Sequence, residues 1–520
     1  MNLNLFLIQF VLFTSCFMLL QSRRLPHGWL AVTGIILGGL GTSFLTLPEW
    51  AGLISSGLWV VLVLLPLVGF AQINRLVMQE RYQAARQIAT WVKWLHPADG
   101  FVEYPHLLQG LELGQRGQFD QARQLLSRYQ TNSTATGRMA TVMLYQMNAD
   151  WRGLVDWIEA HVADQTLYRE MGLVTAYLRS LGELGKLNEL LQGVEQFEQR
   201  VGRGGNPTTY GTVKLYALAF CGQVESVKRL LDRVLSIYPA PIQQFWIATA
   251  ELIAGRDAIA REMLTSIRMT QNGPLEKAID WRLSVPRVDP LQVLTESSHR
   301  ILQQLNTTIA QELRYTGWGS LAPRKSYATY GLIGINVFVY GLSKRLGSSE
   351  DLYVLYRLGA LVPEVVFAGE WWRSLTATFL HSGELHLVAN MLGLYVFGGL
   401  VEATLGYKKF LTSYLFCGVG SMLAVAIIAK LTEAPTQITV GASGAVLGMV
   451  GVEAAIQFKG WWFGKAKIAR ERLRLIILVL VLQLMSDLIT PQVSIVGHLS
   501  GVILGFLAGL ILFKPKRSFS

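Results

Sequence analysis

Residues 440–449 read VGASGAVLGM, an uncharged run whose glycines and alanines suit a helix packed tightly against another. Ser443 stands among them where such a helix would begin. A matching run lies downstream, GHLSGVILGFLAG at 497–509, in which Gly501, Gly505 and Gly509 follow His498. Intervals of three and four residues put these glycines on the helix face that carries the histidine. Gly444, Gly448 and Gly451 form a similar stripe beside Ser443. Two small-residue stripes let helix backbones approach closely, and here they would carry a serine hydroxyl towards an imidazole.

Working outward, 520 residues of which 51% are hydrophobic, with a positive mean hydropathy, exceed one core and exclude a wholly soluble protein. Apolar runs of bilayer-spanning length, about 20 residues, fall near 3–21, 28–48, 52–72, 327–344, 382–401, 410–430, 441–458, 473–490 and 496–513. An all-α, multi-pass membrane protein is expected. The first run lacks the basic start and small-residue cleavage site of a signal peptide, so a retained helix is expected there. Cys16, Cys221 and Cys417 are far apart and have neither metal-ligand nor disulfide-framework spacing. The net charge of +11 follows from basic loops flanking the spans, so nucleic acid is not an expected partner.

Those loops also set the orientation. Arg23 and Arg24 follow the first run, Glu49 separates the second and third, and Arg75, Arg81 and Arg86 follow the third. The amino terminus is therefore expected outside, with residues from about 73 in the cytoplasm. Arg324-Lys325, Lys408-Lys409, the cluster Lys465, Lys467, Arg470, Arg472 and Arg474, and Lys514, Lys516 and Arg517 then all fall inside. Three parts are expected: spans at 1–72, a cytoplasmic helical domain at 73–320 and a six-span domain at 325–515.

The middle part carries a weak repeat. LELGQRGQFDQARQLL, LRSLGELGKLNELL, ALAFCGQVESVKRLL and AELIAGRDAIAREML each place a turn glycine (Gly117, Gly185, Gly222, Gly255) five residues before an apolar residue (Ala122, Leu190, Val227, Ala260). The first interval, 68 residues, leaves room for a degenerate unit around Asp150-Trp151. A period near 34 resembles tetratricopeptide repeats, paired helices that bury their apolar faces by stacking. A protein partner is expected for such an array.

Polar residues within the last six spans are expensive in hydrocarbon and mark functional candidates. His381, His386, Asn390 and His498 stand out. Ser443 and His498 each begin a span from the outer side, at similar shallow depth, and His386 and Asn390 share one helical face at i and i+4. A neutral, buried His498 can accept the Ser443 proton. Glu453 is ten residues past Ser443, roughly 15 Å down the helix at about 1.5 Å per residue, and Asp487 ends another span. A Ser-His dyad is therefore expected, with the Ser443 amide, His386 and Asn390 holding the oxyanion. No metal or cofactor is required.

GASGAVLGMVG, GHLSGVILG and the upstream EWWRSLTATFLHSGELHLVANM together resemble the rhomboid family of intramembrane serine proteases. The resemblance covers roughly 325–515 and implies Ser443 as nucleophile in GxSG, with Gly441 and Gly444 framing it. It implies His498 as base in GHxxGxxxG, with Gly501 and Gly505. His386 and Asn390 match HxxxN on the oxyanion side, with His381 ahead of it. Trp372-Arg373 match the Trp-Arg pair of the long first loop, and Glu402 the structural glutamate ending the second span. A cavity opening to the extracytoplasmic side and transmembrane-protein substrates in the bilayer are implied as well. The rival readings are a catalytically silent rhomboid-like protein that binds transmembrane clients, and a transporter. The first usually lacks the serine or histidine; the second would place its polar groups near the midplane.

Overall fold

Helices follow one another along nearly the whole chain because the apolar periodicity is helical and glycine or proline interrupts it only at turns. The computed structural model describes residues 3–20, 27–96, 101–131, 133–201, 207–315, 326–433, 437–464, 466–489 and 493–514. Arg23-Arg24, Arg324-Lys325, the residues 321–324 between the second and third expected parts, Lys465, Lys516 and Arg517 lie outside these. Among the described residues 81% are helical, and the β pairing is one isolated antiparallel bridge, Leu361 with Thr439. Contacts divide the chain into two units, residues 2–309 and 310–520.

The first unit opens with α1 (Leu3–Leu20), α2 (His27–Thr46) and α3 (Ala51–Met78). The Asn4 carboxamide donates to the Pro48 carbonyl at 2.8 Å and accepts from the Gly52 N–H at 2.6 Å. The start of α1 thus lies beside the α2–α3 turn, an up-down-up arrangement around Val11, Val32, Ile36, Leu40 and Val63. A wide π turn at Val60–Leu64 precedes Pro66, whose ring would otherwise meet the carbonyl four residues back.

The expected boundary at 72/73 falls inside α3. That helix runs on to Met78 and forms the first arm of a helical hairpin with Tyr82–Leu95. Five more hairpins follow: Tyr104–Gln115 with Phe119–Ser127, Ala135–Met147 with Trp151–His161, Met171–Glu183 with Leu187–Val201, Pro207–Phe220 with Val224–Arg233, and Ala240–Ile253 with Asp257–Thr270.

Each of the six turns holds one residue with positive φ: Glu80, Gly117, Ala149, Gly185, Gly222 and Gly255, spaced 32 to 37 residues apart. In each, the next amide donates to the carbonyl five residues back, from Arg81 to Leu76 at 2.8 Å through Arg256 to Glu251 at 3.0 Å. This is the Schellman closure of a helix end. Five residues past each turn, Ala85, Ala122, Leu154, Leu190, Val227 and Ala260 are wholly buried. Ala149 and Glu80 occupy turns that glycine alone did not mark in the sequence.

The second unit holds α4 (Tyr327–Leu346), α5 (Glu384–Leu405), α6 (Tyr407–Leu431), α7 (Ser443–Trp462), α8 (Lys467–Ile489) and α9 (Ile495–Leu512). By length and composition, α5, α6 and α9, with residues 28–46 of α2 and the whole of α3, can cross a membrane. The chain is a multi-pass membrane protein. The other four expected runs are also helices but fall short of that mark. The apolar stretch of α1 is only Leu7–Leu19, and α4 ends in Lys344-Arg345. Basic residues open α8. In α7, fourteen of twenty residues are buried, so it is sheathed by protein and can carry Glu453 and Gln457 where lipid would exclude them.

The α7–α9 contact is made by glycine. A Cβ on Gly501 would collide with the Gly444 carbonyl, and one on Gly505 with that of Gly448. The two backbones therefore touch, an approach that any side chain would prevent.

Candidate active site

The turn into α7 is pinned before it delivers Ser443. Leu361 and Thr439 exchange backbone bonds at 3.0 Å, and the Gly441 N–H donates to the Ala377 carbonyl at 2.9 Å. Gly441 has φ +137°, open to glycine and strained for other residues. Its α-carbon also faces His386: a Cβ there would stand 2.9 Å from His386 Nε2 and 3.6 Å from Ser443 Oγ. Gly441 is the gap through which the serine hydroxyl and the imidazole come together. Ser443 is the first residue of α7, where backbone N–H groups lack intrahelical partners.

His386 and Asn390 stand one turn apart on α5. His386 Nδ1 lies 3.4 Å from the Ser382 hydroxyl, and its ring is 5.2 Å from that of His381, edge to face. His381 is fully buried, yet neither of its ring nitrogens meets a protein partner, and the same holds for Asn390 Nδ2. Buried polar atoms normally find a partner in protein or water; these three nitrogens have none in the protein.

His498 sits in the first turn of α9, which Ser494 caps by accepting from the Gly497 N–H at 3.1 Å. The first turns of α7 and α9 are in contact: a Cβ on Gly444 would stand 3.4 Å from the Gly497 carbonyl oxygen. Ser443, His386, Asn390, His381 and His498 thus gather at one end of the helix group.

Asp487, expected to sit apart at the end of another span, lies instead against His498. Its Oδ2 is 2.7 Å from His498 Nδ1, and its side chain is only 2% exposed. The signal was present in the sequence as a single carboxylate in an apolar run. Only the packing of the end of α8 against the start of α9 made it a partner of the histidine. Glu453 accepts from Gln457 Nε2 at 2.7 Å and belongs to the interior of α7.

Three expected residues serve elsewhere. Glu402, at the end of α5, accepts from the Ala328 and Thr329 N–H groups at 3.0 and 2.8 Å and from the Thr329 hydroxyl at 2.7 Å, capping α4. Arg373 is buried and donates to the Tyr356 and Ala360 carbonyls at 2.7 and 3.1 Å and to Glu370 at 2.6 Å. It also stacks on Tyr356 at 4.3 Å. It is the clasp of the loop between α4 and α5. Trp372 is 40% exposed on that loop.

A serine at a helix start, two polar groups on a facing helix and a histidine across a glycine seam define a membrane protein of one class. The rhomboid domain model matches residues 368–515. Over 168 residues, 32% of this chain, the sequence is 32% identical to the putative rhomboid protease YdcA of Bacillus subtilis, and the match takes in 77% of that protein. The chain belongs to the rhomboid family.

Other relatives are longer. Rhomboid protease GluP of B. subtilis is 29% identical over 206 residues, which cover 40% of this chain and 39% of GluP. RHOMBOID-like protein 6, mitochondrial, of Arabidopsis thaliana is 33% identical over 174 residues, 33% of this chain and 53% of that protein. The chain thus spans about half or less of the length of these two relatives. No solved structure matches it.

Proposed function

We propose that the chain is an intramembrane serine endopeptidase that cuts transmembrane helices of other membrane proteins. The observation that carries this is Ser443 at the start of α7, reached by His386 through Gly441 and flanked by His498 across the glycine seam.

In the proposed reaction, His498 Nε2 takes the Ser443 hydroxyl proton as Oγ attacks the scissile carbonyl. The oxyanion is held by the Ser443 amide and the His386 and Asn390 side chains; Asn390 Nδ2 has no hydrogen-bond partner in the protein. The proton then passes to the leaving amine, and water resolves the acyl-enzyme by the reverse use of His498. Ser443 and His498 are not hydrogen-bonded to each other. Catalytic bonds commonly tighten only in the substrate complex.

The charge pattern supports an orientation with the site opening to the extracytoplasmic side and the hairpin array in the cytoplasm. The array, TPR-like in period, would then offer a docking surface for a protein partner.

Cleavage of a single-span substrate by the purified chain, compared with Ser443→Ala and His498→Ala, tests the reading. Cutting by wild type alone supports it. Three inert proteins that still bind substrate would favour a silent, client-holding member instead.

A further inference from the structure

We infer that Asp487 is the positioning carboxylate of His498, fixing the tautomer and ring orientation in which Nε2 is the free acceptor. The inference rests on the protease reading for its catalytic consequence, but its geometry stands alone. An ionised carboxylate only accepts hydrogen bonds. With Oδ2 at 2.7 Å from His498 Nδ1, that nitrogen is the one bearing hydrogen. A neutral imidazole then presents Nε2 unprotonated, the state a general base requires.

The carboxylate is itself held. Gln483, one turn earlier on α8, donates from Nε2 to Asp487 Oδ1 at 2.8 Å. One oxygen is thus spent on orientation and the other on the histidine. Asp487 is 4% exposed, so water competes poorly for either oxygen. When His498 takes the serine proton, the adjacent negative charge stabilises the imidazolium without accepting a proton itself. Atoms balance: the proton moves from Ser443 Oγ to His498 Nε2 and later to the leaving nitrogen, while the Nδ1 hydrogen stays between His498 and Asp487.

A merely structural tie between α8 and α9 would show the same bond, so the test needs readouts that such a tie would not move. The full-length protein in detergent is compared as wild type, Asp487→Asn and Asp487→Glu. The measurements are kcat and KM on a single-span substrate, fluorophosphonate labelling of Ser443, melting temperature, and the nitrogen resonances of ¹⁵N-histidine, with His498→Gln assigning the His498 pair.

Asp487→Asn is expected to lower kcat and the labelling rate by roughly 10²–10⁴, the span between losing an oxyanion donor and losing an orienting carboxylate. KM and melting temperature should stay near wild type, and His498 should gain the Nε2–H tautomer. Asp487→Glu, which keeps the acceptor, should recover part of the rate and the wild-type nitrogen signature. A wild-type kcat in Asp487→Asn, an unchanged tautomer, or a rate loss that tracks melting temperature would each overturn the inference. If wild type neither cuts nor labels, the protease reading fails, and the nitrogen resonances still decide whether Asp487 sets the His498 tautomer.

Discussion

The two units of this chain bury polar groups and pack helices by opposite rules. In the hairpin array, buried carboxylates meet cations: Glu183 pairs with Arg282 and Arg179, Glu251 with Arg256 and Lys228, and Glu112 with Arg86 and Arg116. Two of those cations also lie over rings, Arg282 over Phe220 at 4.6 Å and Arg179 over Trp151 at 4.7 Å. In the rhomboid unit, the buried carboxylates instead take donors from groups that can be neutral. Glu402 accepts from backbone N–H groups, Glu453 from Gln457, and Asp487 from Gln483 and His498.

The packing differs in the same sense. The array interior is filled by Trp151, Phe197, Phe220 and Phe245, whereas α7 and α9 meet backbone to backbone at glycines. Where helices pack in water, large apolar side chains are driven together. In lipid that drive is absent, and close contact between small residues replaces it.

The sharpest break in this comparison is chemical. Ser443→Ala should lower cleavage of a single-span substrate by roughly 10⁶, to background, as removal of a serine nucleophile does elsewhere. Circular dichroism and melting should not change, since one hydroxyl contributes little packing. Substitutions inside the array should leave the chemical step proposed for the purified protein untouched.

Next come the folding effects. Glu183→Ala strands the buried Arg282 guanidinium and should cost about 3–5 kcal/mol, read as a lower denaturant midpoint. Gly505→Val drives a side chain into the Gly448 carbonyl and should cost about 3 kcal/mol, read as a lower melting temperature in detergent. Growth of a side chain harms one unit, then, and loss of a partner harms the other. A Gly505→Val protein that melts like wild type would remove the glycine seam from the comparison.

Asn390→Ala should lose about 2.7–4 kcal/mol of transition-state stabilisation, so kcat falls while the protein stays folded. The smallest effect belongs to Glu402→Gln. It exchanges one carboxylate acceptor for an amide donor at the α4 cap and should cost about 1–2 kcal/mol, with cleavage per folded molecule unchanged.

How much of this was legible beforehand varied by element. The helices, the multi-pass character and the glycine stripes were written in local spacing, as was the i, i+4 relation of His386 and Asn390. The hairpin turns were readable where glycine held the left-handed position. At Ala149 only the 68-residue interval pointed to a unit, and at Glu80 nothing did, because tertiary packing imposes at both a φ that composition does not announce. The seam between Arg373 and the Tyr356 and Ala360 carbonyls was equally invisible, since it joins segments with no shared periodicity.

What the sequence determined by itself is the part that depends on near neighbours: which segments are helices, which are apolar enough for a bilayer, and which polar residues such helices carry at a cost. What the tertiary structure decided is which of those polar residues meet. Gly441 opens Ser443 to His386, α7 is enclosed so that Glu453 and Gln457 can be buried, and the end of α8 sets Asp487 against His498. Helix periodicity fixes the face on which a side chain stands. The neighbour that fills that face is set by loop closure and close packing among all the helices at once, which no local pattern encodes.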